Sequence, residues 1–128
     1  MQSAAQIVDR FVELLTGGDV DGALELVDDE VVYDNVPVGP VTGPDGIRNV
    51  VAMMEDGIDE FVFVVHEQVE RGNVVLNART DRFRVGDRWL DLPVAGWFEV
   101  GDHGRITLWR DYFDLATYMN GVEALRAG

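Results

Sequence analysis

An α+β fold is predicted, with a curved, mixed but mostly antiparallel sheet wrapped around helices, and three observations predict it. Apolar residues recur at helical spacing at the start of the chain, alternation takes over from residue 58 onward, and the alternating stretches are separated by short glycine-containing turns. Helices followed by a strand meander are the pattern of α+β domains rather than of alternating βαβ units. The 128 residues, 47% of them hydrophobic, suffice for one compact core and leave no room for a second, so residues 1–128 are expected to form a single domain.

Ile7, Val8, Phe11, Val12, Leu14 and Leu15 predict an amphipathic helix from about Ser3 to Thr16, stopped by Gly17-Gly18. A short second helix follows from about Val20 to Val27, with Asp19 as its cap and Ala23, Leu24 and Val27 on one side. Val31-Val32-Tyr33 reads as a strand ended by the loop Pro37-Val38-Gly39-Pro40, and Gly43-Pro44-Asp45 opens a third helix that reaches about Met54 or Glu55. Strands are then expected at Phe61 to Val69, Val74 to Val85, Arg88 to Val100 and Arg105 to Asp114. The intervening turns, Arg71-Gly72-Asn73, Gly86-Asp87 and Gly101-Asp102-His103-Gly104, are short enough to make neighbouring strands antiparallel. A last helix spans about Leu115 to Arg126. A sheet curving around a helix encloses a pocket at its open end, a common place for ligands.

The charge balance removes several classes of function. Ten basic and twenty-four acidic residues give a net charge of −14, which repels phosphate backbones and anionic lipid surfaces, so neither nucleic acid nor membrane is expected as a partner. The opening Met1-Gln2-Ser3-Ala4-Ala5 lacks the basic and apolar segments of a secretion signal, and a cytoplasmic location is expected. Cys and Lys are absent and Ser3 is the only serine, which excludes thiol, Schiff-base and interior serine nucleophiles as well as disulfides and zinc-thiolate sites. His66 and His103 lie too far apart to form a local metal motif, and no oxygen-rich calcium loop follows the acidic run Asp28-Asp29-Glu30, so no metal is expected. The tools that remain are Asp, Glu, Arg, Tyr, His, Asn and water.

Alternation from Val75 to Val85 puts Val75, Asn77, Arg79, Asp81, Phe83 and Val85 on one face, apolar at its ends and polar in its middle. The apolar flanks belong to the core, so Arg79 and Asp81 are expected to point inward. In the last strand Trp109, Asp111 and Phe113 share a face, which sets a second carboxylate between two aromatics; it needs a partner, and Arg79 is a candidate. In the first strand Tyr33 and Asn35 point the same way, and a phenol and an amide together can hold a water molecule. Plain structural readings stand beside these: a buried salt bridge for Arg79 and Asp81, a core aromatic for Tyr33, a turn-shaping role for Asn35.

The set Tyr33-x-Asn35, Arg79-x-Asp81 and Trp109-Arg110-Asp111-Tyr112-Phe113-Asp114 resembles the limonene-1,2-epoxide hydrolase family in order, local spacing and chain length. The resemblance implies the cystatin-like cone fold, a homodimer, and an Asp-Arg-Asp triad that works without a cofactor. It implies an epoxide and water as substrates, and five catalytic positions. Asp111 would be the general base, Tyr33 and Asn35 would hold the attacking water, Asp81 would be the general acid, and Arg79 would bridge the carboxylates. The pocket is expected to be apolar, with Phe83, Trp109 and Phe113 lining it by parity and Met54, Ile58 and Leu92 by apolarity and position. The dimer interface is not legible from periodicity, the exposed sheet face being one place for it.

Two rival readings remain open at this point. A ketosteroid-isomerase-like or polyketide-cyclase-like enzyme would use one Asp to take a carbon-bound proton, leaving the arginine bridge idle. A noncatalytic dimer module binding a small ligand would show ion-paired carboxylates under a filled cone. Arg82, Arg84 and Arg88 form a basic hairpin cluster that is expected to pair with surplus acids on the surface.

Overall fold

A computed structural model describes residues 2–128, in which four helices pack with one six-stranded sheet. Helix α1 (Ala4–Thr16) starts with a capping box: the Ser3 hydroxyl accepts from the Gln6 backbone N–H and the Gln6 side chain accepts from the Ser3 N–H. Its buried face is Ile7, Val8, Phe11, Val12 and Leu15. Helix α2 (Val20–Leu24) is capped by Asp19 as expected but stops sooner than the apolar spacing predicts, because Val27 already begins strand β1 (Val27–Asn35).

The segment expected to be only a loop contains strand β2 (Gly39–Thr42), which pairs antiparallel with β1 from Asn35↔Gly39 to Val32↔Thr42. Four residues that include Pro40 carry little strand signal. The proline is tolerated because β2 lies at the sheet edge, where a missing N–H interrupts no further ladder. Helix α3 (Gly43–Glu55), with Pro in its first turn, buries Ile47 and Val51. Strands β3 (Glu60–Arg71), β4 (Val74–Val85), β5 (Arg88–Val100) and β6 (Ile106–Tyr112) follow, and helix α4 (Leu115–Ala127) closes the chain.

The strand order is β2-β1-β6-β5-β4-β3. β3 to β6 form the expected antiparallel meander, whereas β1 runs parallel to β6, which makes the sheet mixed. That pairing brings the first strand beside the last, with Tyr33 beside Trp109 and Asn35 beside Asp111. Between β4 and β6 the register is Asn77↔Gly96↔Asp111. β4 buries Val75, Asn77, Arg79, Asp81 and Phe83 and leaves the alternating positions partly or fully exposed, as the parity argument requires. Trp109 lies at the centre of the core, stacked on Tyr33 with centroids 3.8 Å apart and edge-on to Phe11 at 5.2 Å.

On the surface Arg82 pairs with Asp91 and Arg84 with Glu60, solvent-exposed contacts worth little in stability. Arg88 departs from the expected acid pairing: its guanidinium donates to the carbonyls of Ala124 and Leu125 and ties the hairpin to the end of α4. Among the described residues no helix is long and apolar enough to cross a membrane.

Candidate active site

The site grows from three strands. β4 aims Arg79 and Asp81 inward, β6 aims Asp111 inward, and the parallel pairing of β1 with β6 sets Tyr33 and Asn35 alongside. Arg79, Asp81 and Asp111 are 2%, 5% and 3% exposed, so this is a charged cluster removed from water, a placement that holds only if each charge is paired.

The pairing is complete. Arg79 Nε donates to Asp81 Oδ1 at 2.8 Å and Nη2 to Asp81 Oδ2 at 3.0 Å. Nη2 also donates to Asp111 Oδ2 at 2.8 Å, and Nη1 to Asp111 Oδ1 at 3.1 Å. One guanidinium thus grips both carboxylates in bidentate fashion, and the Trp109 indole N–H adds a bond to Asp111 Oδ1 at 2.9 Å. The Phe63 ring lies under the guanidinium, 4.6 Å from Cζ. Among the described residues no buried side-chain nitrogen or oxygen lacks a hydrogen-bond partner.

Two carboxylates and one guanidinium carry a net charge of −1 if both acids are ionised, and burial disfavours that state. Burial pushes the Asp81 carboxyl up to about 6, with the Asp111 charge adding to the rise and the Arg79 contacts opposing it. Burial alone would weaken the proton affinity of Arg79, but Asp111 and Asp81 outweigh it and hold the guanidinium charged. The Tyr33 phenol is pushed well above its ordinary range, first by burial and then by the Asp111 charge, with the Asn35 amide opposing. Tyr33 therefore stays a neutral phenol, able to donate and accept at once.

A cavity of about 350 Å³ opens over this cluster. Tyr33, Asn35, Asp81 and Asp111 face into it, and Met54, Phe83, Leu92 and Phe113 line its apolar wall. Trp109 does not, contrary to the expectation from parity: it is fully buried behind the cavity, where it packs on Tyr33 and braces Asp111. Ile58 is also corrected. α3 ends at Glu55, Gly57 turns the chain with φ +72°, and Ile58 lies by a separate hollow with Leu15 and Phe61.

The cavity also uses residues that the sequence analysis did not select. Phe63 and Val94 share a face with Phe61 and Leu92, two residues away on the same strands, so alternation could have found them. Val38 precedes and Val41 lies within the unrecognised β2, while Tyr118, Met119 and Arg126 enter only because α4 folds back over the mouth. Arg126 fastens α4 there by donating to the carbonyls of Asp56 and Met53.

The curved sheet with a ligand-sized hollow at its open end defines a class of small cone-shaped domains. An NTF2-like protein of unknown function from Burkholderia pseudomallei superposes with a TM-score of 0.82 over 95% of this chain and 98% of that one; its 21% identity speaks for the fold alone. Within that class the chain has nearer relatives. A structure described as an LEH-like epoxide hydrolase from Mycobacterium tuberculosis matches with a TM-score of 0.78 and 33% identity, covering 97% of this chain and 95% of that one. Epoxide hydrolase EphG of Mycobacterium tuberculosis is 34% identical over 115 residues, 90% of this chain and 76% of that protein. Residues 2–124 match the model of the limonene-1,2-epoxide hydrolase catalytic domain, and the chain belongs to that family.

Proposed function

We propose that the protein is a cofactor-independent epoxide hydrolase, adding water to a small apolar, cyclic or terpene-like epoxide in one concerted step to give a trans-diol. The observation that carries this reading is the pair of carboxylates held by one guanidinium on the floor of an apolar cavity. Family membership and the likeness to EphG support it.

Opening an epoxide with water requires one proton to leave the nucleophile while another reaches the ring oxygen, so one carboxyl must be ionised while its neighbour is protonated. The cluster suits this demand, because a single shared proton makes it neutral. In the proposed step Asp111 takes a proton from a water held by Tyr33 and Asn35. The water oxygen forms a bond to one ring carbon with inversion as that carbon's bond to the ring oxygen breaks, and Asp81 delivers its proton to the departing oxygen. The cycle leaves the proton on Asp111, and exchange within the arginine-bridged pair or with solvent returns it to Asp81. No covalent ester forms. A cavity of about 350 Å³ has room for a small ligand above the carboxylates, unlike the filled cone of a purely structural module. The proposal includes a homodimeric, cytoplasmic enzyme. The exposed apolar residues Val64, Val69, Leu76 and Tyr112, set on the side of the sheet opposite Arg79 by their register, support the dimer.

The test is diol formation from cyclohexene oxide and limonene oxide by the purified protein in heavy-oxygen water, with enzyme in excess and no metal or cofactor added. Label in the first-turnover trans-diol is expected; an unlabelled first turnover would mean an aspartyl ester, and no diol from any of a wide epoxide panel would reject the reading. Tyr33→Phe is expected to keep the fold and slow turnover about 10- to 100-fold, the cost of a hydrogen bond in a charged site at about 1.5–3 kcal/mol. An unchanged rate would leave Tyr33 as core alone.

The pH dependence has a definite sign. The acid must carry a proton, and the fraction that does falls as pH rises through the raised value of about 6 for Asp81. The kcat/KM of the free enzyme is therefore expected to decline above that pH, approaching ten-fold per unit. A profile that climbs between pH 6 and 8 would contradict the acid role.

A further inference from the structure

The carboxylates take four of the five guanidinium N–H donors of Arg79. The fifth, on Nη1, points to Asn77 Oδ1 at 3.3 Å. Asn77 is itself buried, and its Nδ2 donates to Gln68 Oε1 at 3.1 Å. Gln68 in turn donates through Nε2 to Asp9 Oδ1 on α1 at 2.8 Å. This chain has one possible polarity. A carboxylate at one end only accepts and a guanidinium at the other only donates, so each of the two amides must turn its NH₂ toward Asp9 and its oxygen toward Arg79. Both ends of the chain therefore demand the same orientation of Asn77, with its oxygen toward the guanidinium.

A second observation falls at the same place. To reach Asp111 on β6, the Arg79 side chain must cross β5, and the residue between Asn77 and Asp111 in the register is Gly96. A Cβ at Gly96 would lie 2.5 Å from both Arg79 Nη1 and Asn77 Oδ1, closer than such atoms approach. Gly96 sits in a strand without the positive φ that calls for glycine elsewhere in this chain. Space, not backbone conformation, is what the glycine supplies.

We propose that Asn77, seated over Gly96 and oriented by Gln68 and Asp9, is a positioning residue that takes the last free N–H of Arg79 and holds the guanidinium plane where it grips both carboxylates at once. The functional weight of this seat rests on the epoxide hydrolase reading; its effect on the carboxyl pair does not. The charged and titratable groups around it are Asp81 on its own strand, Asp111 on β6, Tyr33 on β1 and Asp9 on α1.

Two substitutions of similar volume disturb this seat in different ways. Asn77→Asp sets a third carboxylate against Arg79, which draws guanidinium charge away from the pair and raises its proton affinity by about one pH unit or more. Asn77→Leu removes the acceptor that fixes the guanidinium plane, loosens its grip on the carboxylates and so also raises the pair's proton affinity. The measurement is an NMR titration of labelled aspartate carboxyl carbons, with Asp81 and Asp111 assigned, in the wild type and both variants. Diol formation is followed in parallel across the same pH range. The midpoint of the pair is expected to move up in both variants. The high-pH limb of the rate should follow it, with kcat lowered about 10-fold or more in Asn77→Leu and KM little changed, as expected for a contact that aligns the reacting groups.

A midpoint and limb that stay put or fall in folded Asn77→Leu would overturn the positioning role even if the wild type makes diol. A midpoint that rises in Asn77→Leu would uphold it even if no epoxide is turned over, in which case the reaction assignment fails alone. If Asn77→Leu does not fold, Asn77→Ala, which also lacks the acceptor, takes its place with the same expected rise, and a midpoint that does not rise overturns the role.

Discussion

Asp81→Asn and Asp111→Asn are each expected to abolish diol formation, lowering turnover about 10²- to 10⁴-fold or more, while both proteins fold. An amide at position 111 can neither take a proton from water nor accept both Arg79 bonds, since one of its two polar atoms is now a donor facing the guanidinium. An amide at position 81 has no proton to deliver at a useful acidity, so the epoxide oxygen would leave as an unprotected alkoxide. Neither change alters side-chain volume, and the cluster keeps one carboxylate against one guanidinium, a neutral buried pair. The check is product formation from cyclohexene oxide, with circular dichroism and thermal unfolding as fold controls. A folded single variant with near-normal activity would remove that residue from the mechanism.

Arg79→Lys is expected to be nearly as damaging. It preserves the charge, and simple neutralisation of the carboxylates predicts a mild effect. The geometry predicts otherwise: four bonds radiate from one plane to two carboxylates on strands separated by β5, and an ammonium with three donors on a flexible stem cannot reproduce them. Losing one partner's grip leaves a buried carboxylate short of hydrogen bonds, a defect that costs about 3–5 kcal/mol when a buried pair is broken outright. A fall in kcat of about 10²-fold or more with a lowered melting temperature is expected, on the scale of misplaced catalytic groups. Full activity in Arg79→Lys would show that charge alone, without the fork, serves the site.

Much of this arrangement is legible in the order of residues because it depends on local geometry. The side-chain period of a strand is two, so Val75, Asn77, Arg79, Asp81 and Phe83 share a face whatever the strand's neighbours, and apolar flanks identify that face as the inner one. Helix spacing, the Asp19 cap and the Pro44 start are likewise short-range, and they place α1 and α3 within a residue or so. Where local signals were weak or competing, the boundaries moved: Val27 continues the apolar side of α2 in pattern but belongs to β1, and β2 is hidden by its brevity and by Pro40.

What lies beyond reach of the local pattern is which surfaces meet. Hydrophobic burial is non-directional, so the same apolar faces are compatible with several strand orders. The parallel docking of β1 against β6 selects one, and it alone sets Asn35 beside Asp111 and seals Trp109 behind Tyr33 rather than on the cavity wall. Alternation gives Trp109 an inward direction but not a depth, and apolarity draws Ile58 inward without saying toward which hollow. The role of Gly96 is of the same kind. In the order of residues it is one glycine among 14, and only the crossing of Arg79 over β5 shows that a missing side chain there gives the guanidinium its passage. Residues that act through their own strand could be read one by one; those that act through space left between strands became visible when the sheet was assembled.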